Sequence, residues 1–235
     1  MGALVLAIDA GTTNLRVCVF NVDGQLLGQT TAPVVTRAPA PGLVEQDAEA
    51  IWRATQTAIG RTLARIGRTA QDLACIGVTS QRTSAVLWDR TSGEPLTPLV
   101  VWSDLRGIQR ARALNREAGT ALAPQQAAAK LESLVASRPD IPPARMAFGN
   151  IDTFLIWKLS GGTAHLMDRS QAWPTGYLNL QTLGWNTDLM AFQSLPPEIF
   201  PQLCDTWGPL AVSDPRAIGA AVPICADVAR IASYR

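Results

Sequence analysis

Histidine is almost missing from this chain: among 235 residues there is one, His165. That excludes a metal centre built on several imidazoles, and the lone ring reads as a surface loop residue rather than a catalytic base. Cysteine is sparse too. Cys18, Cys75, Cys204 and Cys225 form no C-x-x-C pair. Cys18 and Cys75 lie inside apolar strand-like runs, as reduced core residues of a cytoplasmic protein do. Neither sign of charge is in excess, with 20 Lys and Arg against 19 Asp and Glu. Nothing electrostatic therefore argues for nucleic acid or an anionic membrane as partner. No stretch approaches the ~18 continuous apolar residues of a membrane span. The apolar run after Met1 is broken by Asp9 and lacks a basic flank and a cleavage site, so it is no signal peptide. Leu6 stands where a myristoylation pattern requires Ser or Thr. Internal repeats and low-complexity linkers are also missing. What is plentiful is apolar content, 47% of residues, which is ample for a core and argues against disorder. The length fits one large α/β domain or two small ones.

Against this background one segment is informative: Leu4-Val-Leu-Ala-Ile-Asp9-Ala-Gly11-Thr12-Thr13-Asn14-Leu15-Arg16. A short apolar strand runs into a carboxylate, then a glycine and two hydroxyl residues, then a second strand-like stretch. An acid at the end of a buried strand can hold hydrated Mg²⁺ through its waters. A glycine-centred turn brings backbone N–H groups and short hydroxyls up to phosphate oxygens. The loop opens into a strand, so it is neither a P-loop nor a dinucleotide fingerprint. An ordinary tight β-turn is the alternative for D-x-G-T alone.

The order of elements adds a second clue. Asp23-Gly24 separates Val17–Phe20 from Gln25–Gln29, the signal for a hairpin, so the chain opens with three strands. Asp47 is a good N-cap, with Glu49 in the first turn and apolar Ile51, Trp52, Ile59, Leu63 and Ile66 at helical spacing. Leu73–Thr79 is a buried strand, and Ala85–Trp88 and Pro98–Trp102 are further strands. From Asp104 to Lys158 the pattern is largely helical, broken by Pro124 and by Asp140-Ile-Pro-Pro143. Three opening strands followed by alternating helix and strand predict an α/β fold with a mixed sheet of five strands flanked by helices.

These residues resemble the N-terminal lobe of the FGGY carbohydrate kinases, with the glycerol kinases the nearest pattern within that family. The likeness is carried by Asp9–Arg16; Pro41–Asp47 with Ile51-Trp52; Gly77–Arg82; Val101–Arg106; Phe148–Lys158; Asp168 with Ser170 and Ala172; and Leu183-Gly-Trp185. It spans nearly the whole of residues 1–235. The resemblance implies an actin-like ATPase (ribonuclease H-like) domain and transfer of the γ-phosphoryl of Mg²⁺·ATP to a hydroxyl of a small polyol or ketose. It assigns Asp9 to Mg²⁺, and Gly11, Thr12, Thr13 and Asn14 to the nucleotide phosphates. Arg16 adds positive charge beside the transferred group, where such charge does most of the catalytic work. Gln81, Arg82, Thr83 and Gln125 are assigned to the substrate, with Trp102 as its apolar wall. Asp104 and Arg106 are either substrate contacts or a structural ion pair, and Trp52, Trp157 and Trp185 read as core. The expected partners are the substrate and further copies of the chain, not nucleic acid or membrane.

Two positions depart from the glycerol kinase pattern. Thr83 stands where a glutamate follows the arginine, and Gln125 where a tyrosine follows the proline. Both changes put glycerol in doubt, because a site built to bond particular hydroxyls discriminates through them. Near the end, Val222-Pro-Ile-Cys-Ala-Asp227 brings an aspartate earlier than the family's catalytic one, and Val228–Arg235 does not resemble what should follow. Asp227 is either a general base or an accidental aspartate. The expectation is a lobe without its adenosine-binding partner and without appreciable kinase activity of its own. The alternatives are a non-catalytic polyol-binding module, a decayed kinase, or another actin-like ATPase.

Overall fold

The computed structural model describes residues 3–229. In chain order the elements are β1 (Leu4–Ala10), β2 (Asn14–Asn21), β3 (Leu26–Pro33), β4 (Thr36–Arg37), β5 (Glu45–Gln46), α1 (Ala48–Arg65), β6 (Leu73–Ser80), β7 (Val86–Asp89) and β8 (Leu99–Val100). There follow α2 (Ile108–Glu117), α3 (Leu131–Ala136), β9 (Met146–Gly149), α4 (Ile151–Leu159), β10 (Leu166–Asp168) and α5 (Arg169–Ala172). The last are α6 (Thr187–Phe192), β11 (Gln202–Cys204), β12 (Trp207–Val212), α7 (Pro215–Ile218) and β13 (Pro223–Ala229).

The main sheet runs β12-β13-β6-β1-β2-β3. β1, β2 and β3 form an antiparallel meander, and β1, β6 and β13 run parallel. The mixed sheet expected from sequence is there, but it has six strands rather than five. The extra one, β12, pairs antiparallel with β13 at the edge. Its Pro209 has no N–H for a ladder, which an edge tolerates and which hides the strand from a reading by pattern.

Strand periodicity decides which face is which. Leu4, Leu6, Ile8 and Ala10 of β1 are buried while the residues between them are half-buried. The buried set packs against Ile51, Trp52, Ala58, Ile59 and Leu63 of α1, one stripe at helical spacing. Asp47 caps α1 as expected, its carboxylate accepting from the Ala50 N–H at 2.9 Å. α4 packs on the same side and is buried almost all round. It is enclosed by β6, β10, α1 and α7, and its apolar residues all join this first core. A second core lies beyond, where β7, β9, α2, α3 and Tyr177 gather Leu87, Leu114, Leu131 and Phe148. Asp104–Lys158 was expected to be largely helical, and the strand β9 lies inside that span. A buried run of four residues carries no period to tell strand from helix.

His165 is not a surface residue. Its ring stands edge-on to Trp88 and Trp157, with centroids at 5.2 and 5.8 Å. Nε2 bonds the Phe148 carbonyl at 2.8 Å, so it carries the proton, and Nδ1 accepts from Arg90 at 3.1 Å. Burial, with Arg90 beside it, holds its pKa down at about 3, which leaves a neutral packing residue. Cys18, Cys75 and Cys225 are free and half-buried rather than core.

Candidate functional site

The loop between β1 and β2 is a tight turn closed by Gly11 N–H to Asn14 O at 3.0 Å. Thr13 and Asn14 are exposed on it. At its base, Asp9 lies in register with Arg16 on β2 and Thr79 on β6. This row runs across the face away from α1, since Ile8 and Val78, one residue back, point into the core. A carboxylate with hydroxyl and amide oxygens close by in the chain is a donor set that fits a hydrated hard cation.

Beside this loop sits a hydrogen-bonded circuit of neutral side chains. The indole Nε1–H of Trp102 donates to Thr12 Oγ1 at 3.1 Å, and that hydroxyl donates to Gln81 Oε1 at 3.0 Å. Gln81 Nε2 donates to Gln46 Oε1 at 2.8 Å. Gln46 Nε2 donates to the Thr12 carbonyl at 2.7 Å and to Thr36 Oγ1 at 2.8 Å. The backbone joins in, with Gln81 N–H on Ala10 O at 2.9 Å. Thr12, Gln81 and Trp102 therefore meet, although up to 90 residues separate them. The Thr12 hydroxyl, expected at the phosphates, is turned toward Gln81. Thr13, Asn14 and the loop N–H groups remain for an anion.

Arg82 follows Gln81 and is exposed at the end of β6. Thr83 comes next with φ of 58°, a left-handed conformation that a β-branched residue rarely adopts. Trp102 is 47% exposed and offers its ring to solvent on the same side. Gln125 is exposed on a loop whose Pro124 carbonyl packs close to Gly107, and it makes no bond to the circuit. Asp104 is not open to a substrate. It is fully buried, and its oxygens accept from Val44 N–H at 2.7 Å, from Arg106 N–H at 2.9 Å and from the Arg106 guanidinium at 2.8 Å. Arg106 also pairs with Glu45 at 2.6 Å. Asp104 and Arg106 are the structural ion pair, and they clamp the strand that carries Gln46. Under them lies Lys130, fully buried, donating to Val101 O at 3.1 Å. Burial lowers its pKa to about 8, against the pull of Asp104.

Asp227 is elsewhere. Its register partner is Val78, whose partner in turn is Ile8, so its side chain points to the helix side. It is fully buried and accepts from the Asp168 N–H at 3.1 Å. Asp152, in the first turn of α4, is beside it. Burial pushes both carboxyls up, Asp152 to about 6 although its bond with Asp227 pulls it down, and the charge of Asp152 raises Asp227 further from the usual range. Its side chain is thus on the face opposite that of Asp9, and buried. The early placement of this aspartate in the sequence was the warning. The tail that departs from the family, residues 230–235, lies outside the described residues.

Sequence reasoning missed Gln46, Lys130 and Asp152. Gln46 had one signal, its place within the Pro41–Asp47 block, but a lone amide there has no chemistry until its partners are known.

The family described as "FGGY family of carbohydrate kinases, N-terminal domain" matches residues 4–224. Among curated proteins, the chain is similar to glycerol kinase of Agrobacterium fabrum, 35% identical over 237 residues, covering 95% of this chain and 48% of the relative. Glycerol kinase of Rhizobium rhizogenes is 33% identical with the same coverage. The chain thus spans about half the length of the curated relatives it matches. Among solved structures, Plasmodium falciparum glycerol kinase with ADP superposes with TM-score 0.85 at 20% identity, over 97% of this chain and 48% of that one. Xylulose kinase from Rhodospirillum rubrum gives 0.85 at 22%, over 96% and 49%. Both likenesses support the actin-like fold.

Proposed function

The chain belongs to the FGGY family of carbohydrate kinases, and we propose that it is the substrate-binding lobe of an ATP-dependent sugar or polyol kinase. The observation that carries this reading is the bond from Trp102 to Thr12, which joins a phosphate loop to a sugar-facing aromatic. Ligand sites in open sheets gather at strand ends, where β1 and β6 deliver Asp9, Gln81 and Arg82. In this reading Thr13, Asn14 and the N–H groups of the turn cradle the terminal phosphates. Asp9 holds Mg²⁺, which when bound spreads charge over the phosphate oxygens. Arg16 adds a fixed cation in the row beside Asp9. Arg82 bonds substrate hydroxyls and Trp102 covers its carbons. The adenosine pocket comes from the half of the family fold that this chain does not span, and transfer needs both halves closed around the phosphates.

Relatives named glycerol kinase point toward a small polyol, while Thr83 and Gln125 remove the acid and the phenol that glycerol would meet. The substrate is then a neutral polyol or ketose other than glycerol. A hydrogen bond lost to a charged group costs about 1.5–3 kcal/mol, roughly ten- to a hundredfold in affinity. Titrating the chain with glycerol, xylitol and ribulose while recording tryptophan fluorescence tests this. The expected result is a response to the longer compounds that Trp102→Phe abolishes, with glycerol weaker by that factor. Micromolar glycerol binding, or no response to any of them, overturns it.

A further inference from the structure

The circuit beneath the site has its proton directions fixed at both ends. An indole N–H can only donate, and the Thr12 carbonyl can only accept. Gln46 must therefore turn its amide nitrogen to Thr12 O, which leaves its Oε1 for Gln81 Nε2. Gln81 must then face Thr12 with Oε1, so the Thr12 hydroxyl donates to it and keeps a lone pair for Trp102. No amide can flip without setting one acceptor oxygen against another. Gln46 is 2% exposed, and both its N–H groups and its oxygen are engaged. It is the one member that bonds both the backbone of the phosphate loop and the segment leading to Arg82. It sits in β5, which β8 pairs and the Asp104–Arg106–Glu45 cluster braces, so it is a fixed post.

We infer that Gln46 is a positioning residue that couples the phosphate loop to the substrate segment, holding Thr12 where its hydroxyl joins Gln81 to Trp102. The inference rests on the kinase reading for its purpose, but its geometry stands without it. A substrate that rests on Trp102 strains or settles Thr12, and the loop that faces the phosphates moves with it. Coupling of this kind requires a continuous chain of matched donors and acceptors, because one unpaired link lets the rest relax independently.

The test uses the ¹⁵N-labelled 235-residue chain, with the Trp102 indole signal identified by its loss in Trp102→Phe. Gln46→Met keeps length and neutrality and removes all three bonds. It is expected to speed solvent exchange of the Trp102 indole N–H by about tenfold, the size of one lost hydrogen bond, with the other indole signals unmoved. Gln81→Met cuts the same circuit one link on and has the same signature, so it decides the matter if Gln46→Met fails to fold. Thr36→Val removes a side branch and leaves the Trp102 signal protected. In a second arm, tripolyphosphate is the probe for the loop, and Gln46→Met weakens it about tenfold although Gln46 touches no phosphate. Protection and tripolyphosphate affinity both unchanged in folded Gln46→Met overturn the coupling. If the unaltered chain binds no tripolyphosphate, the kinase reading fails, and the indole arm alone then judges Gln46.

Discussion

Two polar clusters stand near one sheet, one where β1 and β6 end and one on its helix face, and they are built by opposite rules. At the strand ends, Thr12, Gln46, Gln81 and Trp102 carry no charge, and each is joined to the next donor to acceptor. On the helix face, Asp152, Asp168 and Asp227 are three carboxyl groups at 0% exposure. Both oxygens of Asp152 and Oδ1 of Asp227 lack a donor among the described residues. Two adjacent carboxylates cannot both stay ionised in such a place, so one proton is shared between them. Arg169, next in the chain to Asp168, is engaged by Asp205 at 2.7 Å. The neutral circuit fixes positions at little cost in solvation. The acid pair stores charge that folding had to neutralise, which suits a joint inside the fold. Position alone therefore separates two groups of residues that a family pattern presents together.

The largest effect expected from this contrast is a pH dependence owed to the acid pair. Between pH 3.8 and about 6 the folded protein holds a proton on Asp152 that the unfolded chain has lost. The native state then binds more protons, so stability falls as pH rises through that window. A rise of about two units corresponds to about 3 kcal/mol, and Asp227, also pushed up by burial, adds a loss of the same sign. Denaturant titrations from pH 5 to 8 measure it. Asp227→Asn keeps an acceptor for the Asp168 N–H and supplies an N–H to Asp152, so it should flatten the slope. A slope unchanged in that variant would show that the two carboxyls do not share a proton.

The opening strands, the cap of α1 and the tight turn after β1 were legible because their signals are local. Asp9-Ala-Gly11-Thr12 is a strand end and a turn within a few residues, and Asp47 caps a helix that begins beside it. The acid pair was not legible, since Asp152 and Asp227 are far apart and meet through the register of β13 against β6. The same holds for Gln46, whose partners lie 34 and 35 residues away. Thr12 was placed in the right loop, but the direction of its hydroxyl depends on Trp102 and Gln81. Sequence pattern reports which residues reach a strand end. It does not report which way each one turns.

A second prediction sharpens the contrast from the strand-end side, where Lys130 is buried under the Asp104–Arg106 pair. Lys130 has one acceptor, Val101 O, for three hydrogens, while Asp104 spends its oxygens on Arg106 and Val44. Its pKa falls from 10.5 to about 8 because burial disfavours the ammonium. Between pH 8 and 10.5 the unfolded chain binds the proton that the folded one has released, so stability rises with pH there. The sign is opposite to that of the acid pair. Lys130→Met should raise stability at pH 7 by about 2 kcal/mol, as hydrophobic replacement of a buried ion often does, and remove the rise above pH 8. Loss of stability instead would mean that the ammonium sustains Asp104 by more than its burial costs.

The smallest effect concerns strain at the end of β6. Thr83 is held at φ of 58° immediately after Arg82, its hydroxyl bonded to the Arg82 carbonyl at 2.7 Å. A left-handed conformation costs an L-residue roughly 1–2 kcal/mol, and glycine escapes that cost while gaining unfolded-state entropy that offsets part of it. Thr83→Gly should therefore be more stable by about 0.5–1 kcal/mol. Its carbonyl-bonded hydroxyl is also gone, so the backbone that presents Arg82 is freer and polyol binding should weaken. Strain at a ligand site persists only when its surroundings over-determine it, and here β6 on one side and the buried Ser84 to Asp89 run on the other do so. Equilibrium unfolding and a fluorescence titration on the same variant supply both numbers. A gain in stability with undiminished binding would make the conformation an accident of the turn, while a gain coupled to weaker binding ties the strain to the way Arg82 is aimed.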